Sequence, residues 1–183
     1  VLALVMTMAL AVTSNAAFKD ADKISDSCKE AVDVMNAVGV LIGDNNGNFN
    51  PTANLTRAEA AKIISYLLLG NKTAEALVGS NKFSDVAATN WAAGYIDRAY
   101  ELGWINGYGT TYAPDRYISR AETVAVLNRV LNRAPQYTSD LTRNYTTFSD
   151  VATSAWYYLD VEEAANSHTY TKSGSHETWK KLR

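Results

Sequence analysis

Two arginines in matching surroundings are the side chains of this sequence best suited to binding chemistry. Arg57 follows Leu-Thr and precedes Ala-Glu, and Arg120 follows Ile-Ser and precedes the same Ala-Glu pair. At the start of a helix an acidic residue would suit the helix dipole better than a cation. A guanidinium near a helix N-terminus offers a planar fork of donors to a carboxylate or phosphate. An ordinary solvated arginine or a salt-bridge partner is the alternative, and the motif alone leaves both open.

The residues around the arginines have the pattern of helix N-termini. Thr56 with Glu59, and Ser119 with Glu122, have the Ser/Thr-x-x-Glu spacing of a capping box. In such a box the hydroxyl and the carboxylate accept from backbone N–H groups that the helix leaves without partners. The cap does not use the arginine side chain, so replacing either arginine should leave the helices intact.

These motifs belong to an internal repeat that organises the chain. Each copy opens with a phenylalanine followed two residues later by an aspartate, which is Asp20, Asp85 or Asp150. In the first two copies a helix, a Gly-x-x-x-Gly loop, a Phe/Tyr-x-Pro segment and a second helix follow. We expect the phenylalanines in the core. Each aspartate is either a turn or cap residue or a residue of a binding groove.

Tryptophans stand at the start of the first helix in the second and third copies, as Trp91 and Trp156, whereas Ser27 stands there in the first copy. Helical spacing is compatible with core packing, and an indole face also suits a ligand. The third copy has no glycine loop, proline or capping box after its first helix, and continues as a polar tail with Trp179 as a packing anchor. The predicted segments are a signal peptide at 1–16, a first repeat at 17–70, a linker at 71–82, a second repeat at 83–133, a linker at 134–147, and a partial third repeat with its tail at 148–183.

Composition and charge exclude several classes of function. The formal net charge is −2 and the pI is near 5.7, and no dense basic patch points to a nucleic acid. The apolar start and the small residues Ser14 and Ala16 predict a cleaved secretory signal that is too short to span a bilayer. Cys28 is the only cysteine, which excludes an internal disulfide, and we expect it to be a small buried residue. His168 and His176 lack further ligands in the sequence, so no metal or cofactor is predicted.

The ordered series Phe-x-Asp-Val, Trp, Gly-x-x-x-Gly, Phe/Tyr-x-Pro and Thr/Ser-Arg-Ala-Glu resembles the S-layer homology (SLH) domain of bacterial cell-surface proteins. The resemblance covers two full copies and part of a third. It implies a mainly α fold of tandem helix–loop–helix repeats in a pseudo-threefold arrangement, with the third repeat incomplete. It also implies non-covalent attachment to an anionic, often pyruvylated, secondary cell wall polymer on peptidoglycan.

By position, the resemblance nominates ligand-binding residues in each repeat. A ketal-pyruvate carboxylate suits a bidentate guanidinium, and an indole suits the C–H face of a sugar. The nominated residues are Arg57, Arg120, Asp20, Asp85, Asp150, Trp91 and Trp156.

Two functions are compatible with this resemblance, and an enzyme is not expected. The first is a secreted, non-catalytic module that anchors a protein to the cell wall. The second is a structural protein of the surface layer, whose repeats pack against other copies or a partner chain, because a missing second helix would expose apolar surface. A wall-acting enzyme is disfavoured, since the sequence offers no nucleophile–base pair and no separate catalytic scaffold.

Overall fold

The computed structural model describes residues 18–133, 135–174 and 176–183, so the predicted signal peptide at 1–16 lies outside the described residues. The chain is mainly α-helical, as predicted, and the pseudo-threefold arrangement stays a prediction. Two 3₁₀ turns at Ala21–Lys23 and Thr138–Asp140 accompany the main elements. These elements are α1 (Asp26–Ala37), α2 (Arg57–Leu69), α3 (Asn71–Glu75), α4 (Ala93–Glu101), α5 (Arg120–Val130), α6 (Tyr158–Ala165), β1 (His168–Ser173) and β2 (His176–Leu182).

Residue contacts divide the chain into two units. The first contains the described residues up to Ala53 together with Tyr66–Ala76, and its core packs Phe18, Ile24 and Val32. Val32 lies on the buried side of α1, and the ring centroids of Phe18 and Phe49 are 5.4 Å apart. The opening phenylalanine of the first repeat is therefore a core residue, as the sequence predicts.

The second unit contains Asn54–Ser65 and Leu77–Arg183. Its core joins α4, the first turns of α2 and the middle of α5 around the rings of Phe83 and Tyr112. Alanines such as Ala61 and Ala99 are completely buried where these helices approach. α5 also packs on α6, which belongs to the third repeat. This unit holds both arginine motifs in one framework.

The opening aspartates hold the Phe/Tyr-x-Pro segments in the first two repeats. Asp20 accepts from the backbone N–H groups of Phe49 and Asn50 at 2.7 and 2.9 Å. Asp85 accepts in the same way from Tyr112 and Ala113 at 2.8 and 2.7 Å. Asn50 and Ala113 both have φ of 58°, a left-handed conformation that needs such external support.

The second glycine of each loop allows the loop to close on the opening phenylalanine. A Cβ at Gly43 would collide with the ring of Phe18, and one at Gly107 would collide with Phe83. The glycine is required by this close approach, whatever the turn geometry. The repeat motif thus describes one loop packed on one aromatic ring.

Three sequence expectations are corrected by the structure. The opening phenylalanine of the third repeat, Phe148, is 42% exposed and is not a core residue. The polar tail is an antiparallel hairpin, in which β1 and β2 pair from His168 and Leu182 to Ser173 and His176. Trp179 is its packing anchor, since it is only 4% exposed. Cys28 is exposed on α1, a helix in which only Val32 and Asn36 are buried. Within the described ranges no helix is long and apolar enough for a membrane crossing.

Candidate functional site

Arg57 is bound to the loops of the second repeat. At the first position of α2 its Nε donates to the carbonyl of Tyr112 at 2.9 Å, Nη2 to the carbonyl of Asn106 at 2.8 Å, and Nη1 to Glu122 Oε1 at 2.9 Å. The guanidinium also lies 4.3 Å from the ring centroid of Tyr112 and 4.9 Å from that of Tyr108. The residue is only 5% exposed. Arginine has five N–H donors, so these bonds use three of them.

Glu122 joins the cap of α5 to the arginines. Its Oε2 accepts from the backbone of Ser119 at 2.9 Å, and Ser119 Oγ accepts from the backbone of Glu122 at 3.2 Å, which completes a capping box. Oε1 accepts from Tyr108 Oη at 2.6 Å and from Arg116 as well as Arg57. Burial alone would raise the pKa of Glu122, but hydrogen bonds from Tyr108, Ser119 and Arg116 outweigh it and lower the pKa to about 2. The carboxylate is therefore charged at neutral pH.

The first repeat contains the same cap without the added cations. Thr56 donates its backbone N–H to Glu59 Oε2 at 2.8 Å, and Glu59 donates its own to Thr56 Oγ1 at 3.2 Å. Thr56 Oγ1 also donates to Glu59 Oε2 at 2.7 Å. Both capping boxes foreseen from the sequence are present in the structure.

A cavity of about 450 Å³ opens beside these groups, and we call it the arginine cavity. Its charged lining consists of Arg57, Arg116, Arg129 and Glu122, which leaves an excess of positive charge. Trp156 lies on its lining and is 62% exposed. The lining is Arg57, Ala60, Ile64, Ile105, Asn106, Gly107, Tyr108, Tyr112, Arg116, Ile118, Ser119, Ala121, Glu122, Ala125, Val126, Arg129, Trp156 and Tyr157.

Sequence reasoning missed Arg116 and Arg129 as lining residues of this cavity. Arg116 Nη1 donates to the carbonyl of Tyr117 at 3.0 Å, and its side chain is 42% exposed. Arg129 is the basic residue in the last turn of α5 and is partly buried. Neither arginine belongs to the Thr/Ser-Arg-Ala-Glu motif. Arg116 lies between the proline and the capping box of the second repeat, and this position was the one sequence signal that could have indicated a site residue.

Arg120 lines a second cavity of about 460 Å³ together with Asp150. Both residues are exposed. The rest of the lining is largely apolar and includes Phe148, which is 42% exposed, and Val161 of α6. The structure therefore brings the nominated arginine of the second repeat next to the nominated aspartate of the third.

The other nominated residues lie in different surroundings. The carboxylates of Asp20 and Asp85 face the backbone N–H groups described above. Trp91 precedes α4 and is 57% exposed, so it is not a core residue. An exposed indole has a face available to a ligand.

Comparison with known proteins agrees with the repeat motifs. The family of the S-layer homology domain matches residues 17–61 and 82–124. The chain belongs to the S-layer homology family. Arg57 lies in the first matched SLH segment and Arg120 in the second, and each SLH segment runs from the opening phenylalanine into the second helix of its repeat.

Relatives of this SLH chain include proteins named for the cell surface or a surface layer, and also enzymes such as an amylopullulanase of Thermoanaerobacterium thermosulfurigenes. It is 32% identical over 160 residues to Cell surface glycoprotein 1 of Acetivibrio thermocellus, which covers 83% of this chain and 7% of that protein. It is 39% identical over 126 residues to the Surface-layer 125 kDa protein of Lysinibacillus sphaericus, and the match covers 68% of this chain and 10% of that protein. It is 31% identical over 159 residues to the Cellulosome-anchoring protein of A. thermocellus, and the match covers 86% of this chain and 34% of that protein. The chain thus spans between 7% and 34% of the length of these relatives.

Proposed function

We propose that this SLH chain is a non-catalytic cell-wall anchoring module that binds an anionic secondary cell wall polysaccharide. The observation that carries the proposal is the arginine cavity, whose lining holds three arginines, one glutamate and an exposed indole. A volume of about 450 Å³ falls within the range of small-molecule sites, roughly 300–1,000 Å³. That size suits one or two sugar units of a longer polymer.

The charged groups define the chemistry of the ligand. Glu122 is neutralised by Arg57 and Arg116, so the remaining positive charge selects an anion. A carboxylate such as that of a ketal-linked pyruvate accepts two parallel N–H bonds from a guanidinium. We assign this contact to Arg116 and Arg129, and Arg57 adds its positive charge to the lining of the same cavity. Trp156 stacks on the C–H face of an adjacent sugar ring.

The second cavity supplies a further contact for the same polymer. Its exposed Arg120 binds a second acidic group, and Asp150 accepts from sugar hydroxyls. Trp91 provides a third surface for a sugar ring. Asp20 and Asp85 contribute by fixing the loops of the first two repeats. Several weak contacts along one polymer give a firm attachment without covalent chemistry.

Binding to purified cell-wall sacculi tests the proposal. The protein should sediment with sacculi that carry an acidic secondary polymer, and it should stay in solution when that polymer has been stripped. Arg116→Ala should weaken binding about ten-fold, because a charge-assisted hydrogen bond contributes about 1.5–3 kcal/mol. Arg98→Ala is the matched control, since Arg98 is partly exposed on α4 and its one ion pair among the described residues is with Glu101 of the same helix.

A surface-layer assembly role is the second candidate, and the apolar lining of the second cavity favours it. In that role the cavity covers a segment of a neighbouring chain. Equal sedimentation with stripped and intact sacculi, combined with a mass that grows with protein concentration, would favour assembly and contradict polymer binding.

A further inference from the structure

Three side chains that the anchoring function does not use converge between α6 and the hairpin. His168 opens β1, Glu163 lies in the last turn of α6, and Glu177 lies on β2. His168 Nε2 is 3.0 Å from Glu177 Oε1 and 3.4 Å from Glu163 Oε2. The side chain of His168 is 6% exposed, and those of both glutamates are fully buried. We call these residues the Glu-His-Glu cluster.

The protons of His168 can be assigned from its neighbours. Its Nδ1 is 2.7 Å from the carbonyl oxygen of Asn166, and a carbonyl oxygen can only accept, so Nδ1 carries the hydrogen. In the neutral ring Nε2 then has no hydrogen, and its lone pair faces two carboxylates that can also only accept. Three acceptors pointing at one another repel unless a positive charge lies between them. The arrangement calls for a cation or an extra proton on the ring.

The two glutamates are incompletely compensated by the protein. Glu163 Oε2 accepts from Trp179 Nε1 at 2.8 Å, and Arg133 Nε is 3.7 Å from Glu163 Oε1, beyond hydrogen-bond distance. Among the described residues, the ion pairs give Glu177 no partner except His168. Glu163 Oε1 and Glu177 Oε2 are buried and make no hydrogen bond. Buried carboxylate oxygens without partners are costly in a folded protein and point to a missing electrophile.

We propose that the Glu-His-Glu cluster binds a divalent transition-metal ion such as Zn²⁺, with His168 Nε2 and the carboxylates of Glu163 and Glu177 as ligands. The three ligand atoms lie within 4.8 Å of one another. A tetrahedral site with ligands about 2.0–2.1 Å from zinc has ligand–ligand distances of roughly 3.4 Å, close to those that His168 already makes. A divalent ion also balances the two carboxylate charges.

The surroundings have the features that support a metal-binding histidine. A backbone carbonyl on the other ring nitrogen fixes the tautomer and the ring orientation. Trp179 stacks on His168 with ring centroids 4.0 Å apart and donates to Glu163, so it orients two ligands at once. An ion bound here joins the end of α6 to both strands of the hairpin. The metal therefore acts as a structural clip for the third repeat.

Metal titration of the tag-free full chain after chelator treatment tests the proposal. Zn²⁺ should bind with a stoichiometry of one and raise the melting temperature by about 5–10 °C at a hundred-fold excess over Kd. Ca²⁺ and Mg²⁺ should have little effect, because they prefer sites made only of oxygen ligands. Co²⁺ should give visible d–d absorption and quench Trp179 fluorescence. Quenching that is lost in Trp179→Phe locates the ion at the cluster, because the chain has three other tryptophans.

Matched variants distinguish ligands from bystanders. His168→Ala and Glu177→Gln should each weaken Zn²⁺ affinity by more than ten-fold. His176→Ala is the control, since His176 lies on the same hairpin but contacts Asp140 at 2.8 Å instead. Circular dichroism of each variant checks that the helices are retained.

The metal-free stability of Glu177→Gln separates the two explanations of the cluster. If a metal is the native partner, this variant is at least as stable as the metal-free parent, because it removes a buried uncompensated charge. If a proton on His168 is the partner, the variant melts lower and the parent does not respond to Zn²⁺. A less stable Glu177→Gln variant together with a parent that does not respond to Zn²⁺ would overturn the proposal. A Zn²⁺ affinity of His168→Ala equal to that of the parent would overturn it too.

Discussion

The two arginines of the repeat have the same neighbours in sequence and different surroundings in the structure. Arg57 is 5% exposed and donates to two carbonyls and to Glu122. Arg120 is exposed, and the ion pairs among the described residues do not include it. The cause is the segment that each arginine faces. Arg57 faces the second repeat, which has a complete loop and a capping glutamate. Arg120 faces the third repeat, in which α6 is followed by a hairpin instead of such a loop.

Replacing each arginine by alanine should therefore have unequal effects on stability. Arg57→Ala leaves two carbonyls unpaired and removes one of the two cations at Glu122, so it should cost about 3 kcal/mol of the free energy of unfolding. Arg120→Ala should change it by less than about 0.5 kcal/mol, as surface substitutions usually do. Urea denaturation of both variants measures the difference. Equal losses would mean that the contacts of Arg57 contribute little.

The contrast between Arg57 and Arg120 shows which properties of single residues could be predicted from the sequence. The residue types at the arginine motif, the capping residues and the opening aspartates were all recognisable from spacing. For Arg57 the structure adds a role that spacing does not suggest, because its guanidinium donates to carbonyls in the loop of the second repeat. Such a role depends on Tyr112 and Glu122, which are distant in sequence. No local pattern around Arg57 reveals it.

At the scale of elements, the repeat is a loop held by one carboxylate. Burial would raise the pKa of Asp85, but the backbone N–H groups of Tyr112 and Ala113 outweigh it and lower the pKa below its ordinary value. In the first repeat the backbone N–H of Phe49 makes the largest contribution to the lowered pKa of Asp20. The lowered values show that both loops are bound by the charged form. In the third repeat no such loop follows, and Asp150 is exposed.

Alanine at the aspartates should separate loop support from surface position. Asp85→Ala should lower stability by about 1 kcal/mol and lower polymer binding too, because the loop that it holds carries Tyr112 beside Arg57. Asp150→Ala should leave stability unchanged and affect only contacts in the second cavity. Thermal melting and sacculus binding of the two variants check this. A stable Asp85→Ala variant would show that the loop holds its shape without the carboxylate.

Helices were easier to foresee than the hairpin, for physical reasons. The capping boxes and the apolar periodicity of α2 and α5 are local signals, and both helices begin at the arginine that the boxes mark. The hairpin has few apolar residues, and its strands alternate only weakly, with Glu177 and Trp179 as the buried positions of β2. A buried glutamate opposes the usual strand pattern. Gly174, with φ of 63°, was the one sequence signal for the turn of the hairpin. It lies in the segment that the sequence analysis treated as the tail of a helical repeat.

At the scale of the whole molecule, the charge of the chain and the charge of its site have opposite signs. The chain has a formal net charge of −2, whereas Arg57, Arg116 and Arg129 line one cavity together with a single acidic residue, Glu122. Attraction at contact distance exceeds diffuse repulsion, because Coulomb energy falls with distance and with screening. The protein can therefore bind an acidic polymer while being acidic itself.

The proposed attachment should therefore weaken as salt rises. Increasing the ionic strength from about 0.05 M to about 0.5 M shortens the Debye length from roughly 14 Å to roughly 4 Å, and it screens the partly exposed Arg116 more than the buried Arg57. Binding to sacculi should fall several-fold over this range in the parent protein. In Arg116→Ala the fall should be smaller, because the group that salt screens has been removed. A binding curve that does not change with salt in either protein would mean that aromatic stacking on Trp156, and not charge, holds the polymer.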